Sequence, residues 1–134
     1  MGDAILAAEN KSKGEDDMLF IEYPKCSTCK KAKKWLDAQN ASYEDRNIVE
    51  DNPTYGELKQ WYEKSGLPLK KFFNTSGMLY REMQLKDKLP GMSEEEQLKL
   101  LATNGMLVKR PLLVDKDVVL TGFKEAEWEE RIPS

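Results

Sequence analysis

The apolar run Met18-Leu19-Phe20-Ile21, continued by Glu22-Tyr23 and stopped at Pro24, predicts a buried strand over residues 18–23. Beyond Cys26-Ser27-Thr28-Cys29 the period lengthens. Ala32, Trp35 and Leu36 recur at helical spacing among lysines, a core-facing stripe on a helix over Lys30 to Gln39. Residues 42–48 return to strand character, with Tyr43 as the expected buried anchor. Thr54 and Glu57 have the spacing of a capping box, in which each side chain satisfies a free backbone group of the other residue. Tyr55, Leu58, Trp61 and Tyr62 give that helix its apolar face, and Gly66-Leu67-Pro68 ends it. A second box, Ser93 with Glu96, opens a helix carrying Leu98 and Leu101, with Asn104-Gly105 as its stop. Shorter helices are expected over residues 69–73 and 78–85, so that residues 54–104 form a helical block.

The last third is read as strands again. Pro111-Leu112-Leu113-Val114, a turn at Asp115-Lys116-Asp117, and Val118-Val119-Leu120 form a predicted hairpin. Thr121-Gly122-Phe123 then leads into a final helix with Ala126 and Trp128 turned inward. The order strand, helix, strand, helical block, hairpin, helix is an α/β layout. Residues 1–17 stand apart: a short Ala-Ile-Leu-Ala-Ala piece gives way to a polar run without periodicity. They lack the basic start and long apolar middle of a signal peptide. They are read as a leader outside the fold, either disordered or appended ahead of a natural start at Met18, which leaves residues 18–134 as the domain.

Composition narrows the chemistry. The 134 residues suffice for one domain with a real core. No apolar run approaches the length of a membrane span. Twenty-one basic against 24 acidic residues give a net charge of −3, which supplies no general attraction to nucleic acid or membrane. With only two cysteines, both in one short reactive motif, a reducing cytoplasm is the expected compartment.

Both cysteines fall in Cys26-Ser27-Thr28-Cys29, at the end of a strand and the start of a helix. A helix start leaves its first N–H groups unpaired and carries partial positive charge, so a thiolate at Cys26 is favoured over the thiol. Lys25, Lys30 and Lys31 add positive potential. Cys29 lies three positions on, within reach of a mixed disulfide formed at Cys26. Cys26 is therefore read as nucleophile and Cys29 as resolving thiol. A Cys₄ or Cys₂His₂ zinc site within one chain is excluded by the ligand count. A structural disulfide would close a four-residue loop and restrict the unfolded chain little, and two inert buried thiols fit the strand-to-helix setting poorly. With this motif at the first strand-helix junction, the layout fits a thioredoxin-like mixed sheet with an inserted helical block.

From Met18 to about Ile132 the sequence resembles the arsenate reductases of the glutaredoxin-linked class and the related Spx regulators. The likeness is carried by Cys26-Ser27-Thr28-Cys29-Lys30-Lys31-Ala32, Arg46-Asn47-Ile48, Asn74-Thr75-Ser76-Gly77-Met78-Leu79-Tyr80-Arg81 and Lys109-Arg110-Pro111-Leu112-Leu113-Val114. It implies that Cys26 is the family nucleophile, Arg110 an oxyanion-binding arginine and Pro111 the cis-proline beside the cysteine loop. Ser27, Thr28, Asn74 and Pro111 are the implied substrate-binding positions. Ser27 and Thr28 are equally well read as helix-capping and solvated, and Arg110 also has a reading as a surface arginine without a ligand.

The chain departs from the reductases where they carry further arginines: it has Asn74, and Gly122-Phe123-Lys124 near the last helix. Arsenate needs charge-assisted, often bidentate donors, and each one lost costs about 1.5 to 3 kcal/mol of binding. Weak or absent arsenate reduction is therefore expected. Cys29 is a second departure, because the reductases of this class carry one cysteine here and recruit glutathione and a glutaredoxin. A Cys26–Cys29 pair is similar to the Spx redox switch, whose partner is the RNA polymerase α subunit, with Gly66 matching the interface glycine and the chain ending at Ser134 where Spx proteins continue. The electron donors implied are glutathione, thioredoxin or glutaredoxin, with no bound cofactor. Arg46 and Arg81 are read as structural or solvated, Glu94-Glu95-Glu96 as a favourable first helical turn, and Tyr55, Tyr62 and Tyr80 as packing residues.

Overall fold

The computed structural model describes residues 18–132; the leader proposed over residues 1–17 lies outside them. Four strands, β1 Leu19–Glu22, β2 Glu44–Asn47, β3 Leu112–Val114 and β4 Val119–Thr121, form one sheet in the order β2-β1-β3-β4. β1 runs parallel to β2 and antiparallel to β3, and β3 pairs antiparallel with β4. The helices are α1 Ser27–Ala38, α2 Tyr55–Ser65, α3 Met78–Glu82, α4 Leu85–Lys88, α5 Glu94–Leu101 and α6 Glu125–Arg131, with 3₁₀ turns at Leu69–Phe72, Leu89–Gly91 and Gly105–Leu107. This is the α/β, thioredoxin-like mixed sheet that the sequence pattern predicts.

Strand alternation divides the core into two layers. Phe20, Leu113 and Leu120 meet Ala32 and Leu36 of α1 and Trp128 of α6 on one face. Ile21, Leu112, Val114 and Val119 face the opposite way, onto Leu58 and Trp61 of α2, Phe72, and Leu98 and Leu101 of α5. Covering both faces of a short sheet in this way explains why β1 and β3 read as continuous apolar runs rather than alternating ones.

Both capping boxes form. The Thr54 hydroxyl accepts from the Glu57 N–H at 3.1 Å while the Glu57 carboxylate accepts from the Thr54 N–H at 3.0 Å, and Ser93 and Glu96 do the same at 3.1 and 2.8 Å. Gly66 closes α2 in the left-handed region at φ 70°, where a β-carbon is disfavoured. Arg46 is structural: its guanidinium meets both Glu57 carboxylate oxygens at 2.9 Å and lies 5.9 Å from the centre of the Trp61 ring.

Several expectations change. α1 begins at Ser27, so Cys29 belongs to its first turn. β2 is shorter than residues 42–48 and wholly polar in sequence, as suits an edge strand. Its buried anchor is Ile48, just past the strand, while Tyr43 is half-buried, with its hydroxyl donating to Asp37 at 2.8 Å and its ring edge-on to Phe20. Residues 78–85 form not one helix but α3 and the start of α4, broken by Gln84 at φ 57°. Ala126 is exposed; α6 is too short for a second inward position on that stripe, and Phe123 and Ile132 pack beside Trp128 instead.

Glu22 is the buried charged residue among the described residues, 4% exposed at the end of β1. Alternation puts it on the α1 face, where Lys33 Nζ lies 3.7 Å from its carboxylate and 2.6 Å from that of Asp45. Burial, then the hydrogen bond and charge of Asp45, push the Glu22 carboxyl up to about 7 from an ordinary 4.5. Below pH 4.5 both folded and unfolded chains hold this proton. Between 4.5 and 7 only the folded chain does, so stability falls as pH rises, by up to about 1.4 kcal/mol per unit. Asp45, held below its ordinary value despite its partial burial by hydrogen bonds from Glu22 and Lys33, works the other way, and its contribution is lost under acid conditions. Urea unfolding at pH 5, 6, 7 and 8 should show this decline, and Glu22→Gln should flatten it. A slope unchanged in the variant would place the titration elsewhere.

Candidate functional site

Pro24 and the turn that follows deliver the chain from β1 into α1 with Cys26 as the residue ahead of the helix, in extended geometry at φ −88°, ψ 124°. The Cys26 N–H donates to the Tyr23 carbonyl at 2.9 Å, and the Cys26 carbonyl accepts from the Lys30 N–H at 3.0 Å, the first bond of the helix. The N–H groups of the intervening residues have no place in that ladder. Burial alone would raise the Cys26 thiol. The N–H and thiol of Cys29, the N–H of Thr28 and the charge of Arg110 together outweigh burial and hold Cys26 below the ordinary thiol range.

Cys29 has the opposite environment. It is fully buried, its sulfur accepts from the Tyr23 N–H at 3.5 Å, and burial, with the adjacent Cys26 sulfur, pushes it up to about 12. Both cysteines are free. One sulfur is therefore biased toward the thiolate and the other held as a thiol behind it, an asymmetry suited to thiol-disulfide exchange.

Arg110 precedes Pro111, and their peptide is cis. The guanidinium carbon sits 5.2 Å from the centre of the Tyr23 ring, and Nε and Nη1 are buried without a hydrogen-bond partner among the described residues. Unsatisfied buried donors near the Cys26 sulfur are a place for a substrate's oxygen or for water. Pro111 is buried, and its carbonyl accepts from the Gly122 N–H at 2.8 Å. Gly122 adopts φ 73°, and a β-carbon there would crowd Lys109 Cε at 3.0 Å, so the turn and the lysine are fitted to one another.

Cys26, Thr28, Asn74 and Arg110 line one open groove of about 880 Å³. Ser27 and Pro111 are not on its lining: Ser27 is exposed at the helix start, and Pro111 acts from beneath. Asn74 is held by its backbone, its N–H donating to Leu107 at 2.8 Å and its amide reaching the Met106 carbonyl at 3.5 Å, so it closes the loop as well as lining the groove. A β-carbon at Gly77 would lie 2.5 Å from the Asn74 amide nitrogen, so any other residue there would make that side chain shift. Lys70, Lys71 and Arg131 also line the groove, and nothing in the linear sequence singled them out. They come from a 3₁₀ turn and the end of α6, and the two-sided sheet is what brings those segments together.

The ArsC family model matches residues 21–131. The uncharacterized protein YusI of Bacillus subtilis is 58% identical over 113 residues, covering 84% of this chain and 96% of that one. The regulatory protein MgsR of the same organism is 28% identical over 113 residues, covering 84% of this chain and 88% of its own length. Among solved structures, a Bacteroides fragilis protein described as ArsC family related superposes with a TM-score of 0.84 at 61% identity, covering 87% of this chain and 98% of that one.

Proposed function

The chain belongs to the ArsC family, and on that premise we propose that it is a thiol-disulfide oxidoreductase in which Cys26 attacks and Cys29 resolves. The observation that supports this most directly is the opposed pair of environments: Cys26 lowered at the helix start facing the groove, Cys29 raised and buried behind it. Cys26 attacks one sulfur of a disulfide and expels the other half as a thiolate; Cys29, losing its proton, then attacks Cys26 and releases the second half. The two cysteines end as a disulfide, having given up two electrons, and a thiol or redoxin donor restores them. Thr28 presents its N–H to the Cys26 sulfur, and Arg110 stabilises its charge. Ser27, Asn74 and Pro111 shape the loops rather than supply charge.

Arsenate reduction is expected to be weak. Asn74 is committed in part to the Met106 carbonyl, and Lys109 and Lys124 offer point charges where a planar fork would hold a tetrahedral oxyanion. No helix among the described residues is long and apolar enough to cross a membrane, and we place the protein in the cytoplasm, where thiol donors keep such a pair reduced.

Two measurements test the reading. In an alkylation-rate titration followed by intact mass, Cys26 should be modified first, with an inflection below the value of free cysteine, about 8.5. In NADPH oxidation coupled through thioredoxin or glutaredoxin, a disulfide acceptor should turn over faster than arsenate. An inflection at or above 8.5, or no turnover of any acceptor, would overturn the oxidoreductase. The second reading is a redox-switched regulator that binds the RNA polymerase α subunit, favoured by the likeness to MgsR and by Gly66, exposed at the end of α2 with open space around it. It requires capture of the α subunit that changes with the Cys26–Cys29 redox state.

A further inference from the structure

The groove beside Cys26 is far more basic than the chain that forms it. Six cations line it, Lys70, Lys71, Lys109, Arg110, Lys124 and Arg131, against a single carboxylate, Glu127, in a protein of net charge −3. None of the six is in an ion pair with a described residue. They rise from three separate segments: the 3₁₀ turn after α2, the stretch ahead of β3, and the two ends of α6. Most described cations elsewhere are unpaired as well, so what sets the groove apart is the gathering of six with one carboxylate. Three separate segments converge to place these cations around one thiol, which their spacing along the chain does not do.

Size separates the candidate anions. A groove of about 880 Å³ is of the order that holds a ligand of drug size, many times a lone four-oxygen oxyanion. Leu67, Pro68 and Phe123 add apolar wall between the cations, a surface for a carbon skeleton rather than for a hydrated ion. Arg110, with two buried donors unsatisfied and its face on Tyr23, lies near enough to act on the Cys26 sulfur, whereas Lys71 and Lys124 line the groove from different segments of the chain.

We propose that the substrate of Cys26 is a low-molecular-weight disulfide whose halves each carry at least one anionic group, the sulfur meeting Cys26 and the anions held by Arg110 and the surrounding lysines. This rests on the oxidoreductase reading above and deepens it. The exchange is balanced as written there. The substrate's S–S bond breaks, its two halves leave as thiolates that take protons from water, and the Cys26–Cys29 disulfide forms; dithiothreitol returns it to the dithiol.

The test compares the rate at which reduced protein is oxidised by a dianionic aromatic disulfide, 5,5′-dithiobis(2-nitrobenzoate), by neutral bis(2-hydroxyethyl) disulfide and by dicationic cystamine, each divided by its rate with free cysteine. The expected order is anionic, neutral, cationic, with the first exceeding the last by about a hundredfold at low salt and the gap closing toward 0.5 M salt, where screening reaches only about 4 Å. Lys71→Gln with Lys124→Gln should shrink the ratio several-fold, whereas Lys59→Gln with Lys99→Gln, the same charge removed outside the groove, should leave it. Glutathione disulfide and coenzyme A disulfide as acceptors then separate carboxylate from phosphate as the anion. Prompt oxidation by all three probes at equal normalised rates would overturn the proposal and leave the oxidoreductase standing. No oxidation by any of them would overturn both.

Discussion

Cys26→Ser is expected to reduce disulfide turnover to background, while Cys29→Ser should stop after a single half-reaction with one thiol held on Cys26. The two variants are expected to differ because the two sulfurs sit in opposed environments. A serine hydroxyl at position 26 gains nothing from the Thr28 and Cys29 N–H groups or from Arg110 at neutral pH, since those contacts favour an anion that serine does not form there. Cys29 contributes later. Its thiol, buried and pushed up to about 12, is unreactive toward solutes and becomes useful when the mixed disulfide on Cys26 lies against it. Removing it should leave the first attack intact, visible as one equivalent of released thiol and a mass increase of one substrate half, and then stall. Intact-mass spectrometry after mixing each variant with the anionic disulfide resolves the outcomes. If Cys29→Ser turned over at the wild-type rate, an external thiol would be resolving Cys26 and the pair would not be acting as a unit.

The placing of Cys26 and Cys29 at a strand end and a helix start was legible in the linear sequence because its causes are local. A strand end, a proline, a thiol and a helix start lie within a dozen residues, and the dipole argument needs nothing more distant. The capping boxes at Thr54 and Ser93 and the αL glycine at 66 were legible for the same reason. What pattern did not reveal depends on contacts between distant segments. Lys70, Lys71 and Arg131 are ordinary surface cations until the sheet brings the 3₁₀ turn and α6 around Cys26. Glu22 reads as the polar end of a strand, and its burial beside Asp45 and Lys33 follows from the parallel β1–β2 register, which sets Glu22 opposite Asn47 and Phe20 opposite Asp45. Ala126 looked inward because helical spacing was extended over a helix of seven residues, too short for the stripe to repeat.

Trp128→Ala is expected to cost about 3 to 5 kcal/mol of stability, the most of any single side chain in the α1 layer. Trp128 is fully buried and is the one buried residue of α6. Its ring stands edge-on to Phe123 at 4.8 Å, Trp35 at 6.0 Å and Phe20 at 6.5 Å, and its indole N–H donates to the Gly122 carbonyl at 3.2 Å. A short helix with a single anchor has little propensity to form by itself, so the truncation removes the reason for α6 to dock. The consequence reaches the site. Gly122, whose N–H reaches the Pro111 carbonyl, ties the turn before α6 to the cis peptide between Arg110 and Pro111, and Lys124 and Arg131 stand at the two ends of α6. Trp128→Phe keeps most of the ring contact and loses the hydrogen bond, which should cost about 1 to 2 kcal/mol. Urea unfolding of the three proteins gives the order. The anionic-over-cationic rate ratio at Cys26 should fall in Trp128→Ala, measured where the variant is still folded, and be largely kept in Trp128→Phe. A cost below about 1 kcal/mol for the alanine variant, with the ratio unchanged, would mean that α6 is held by contacts other than this ring.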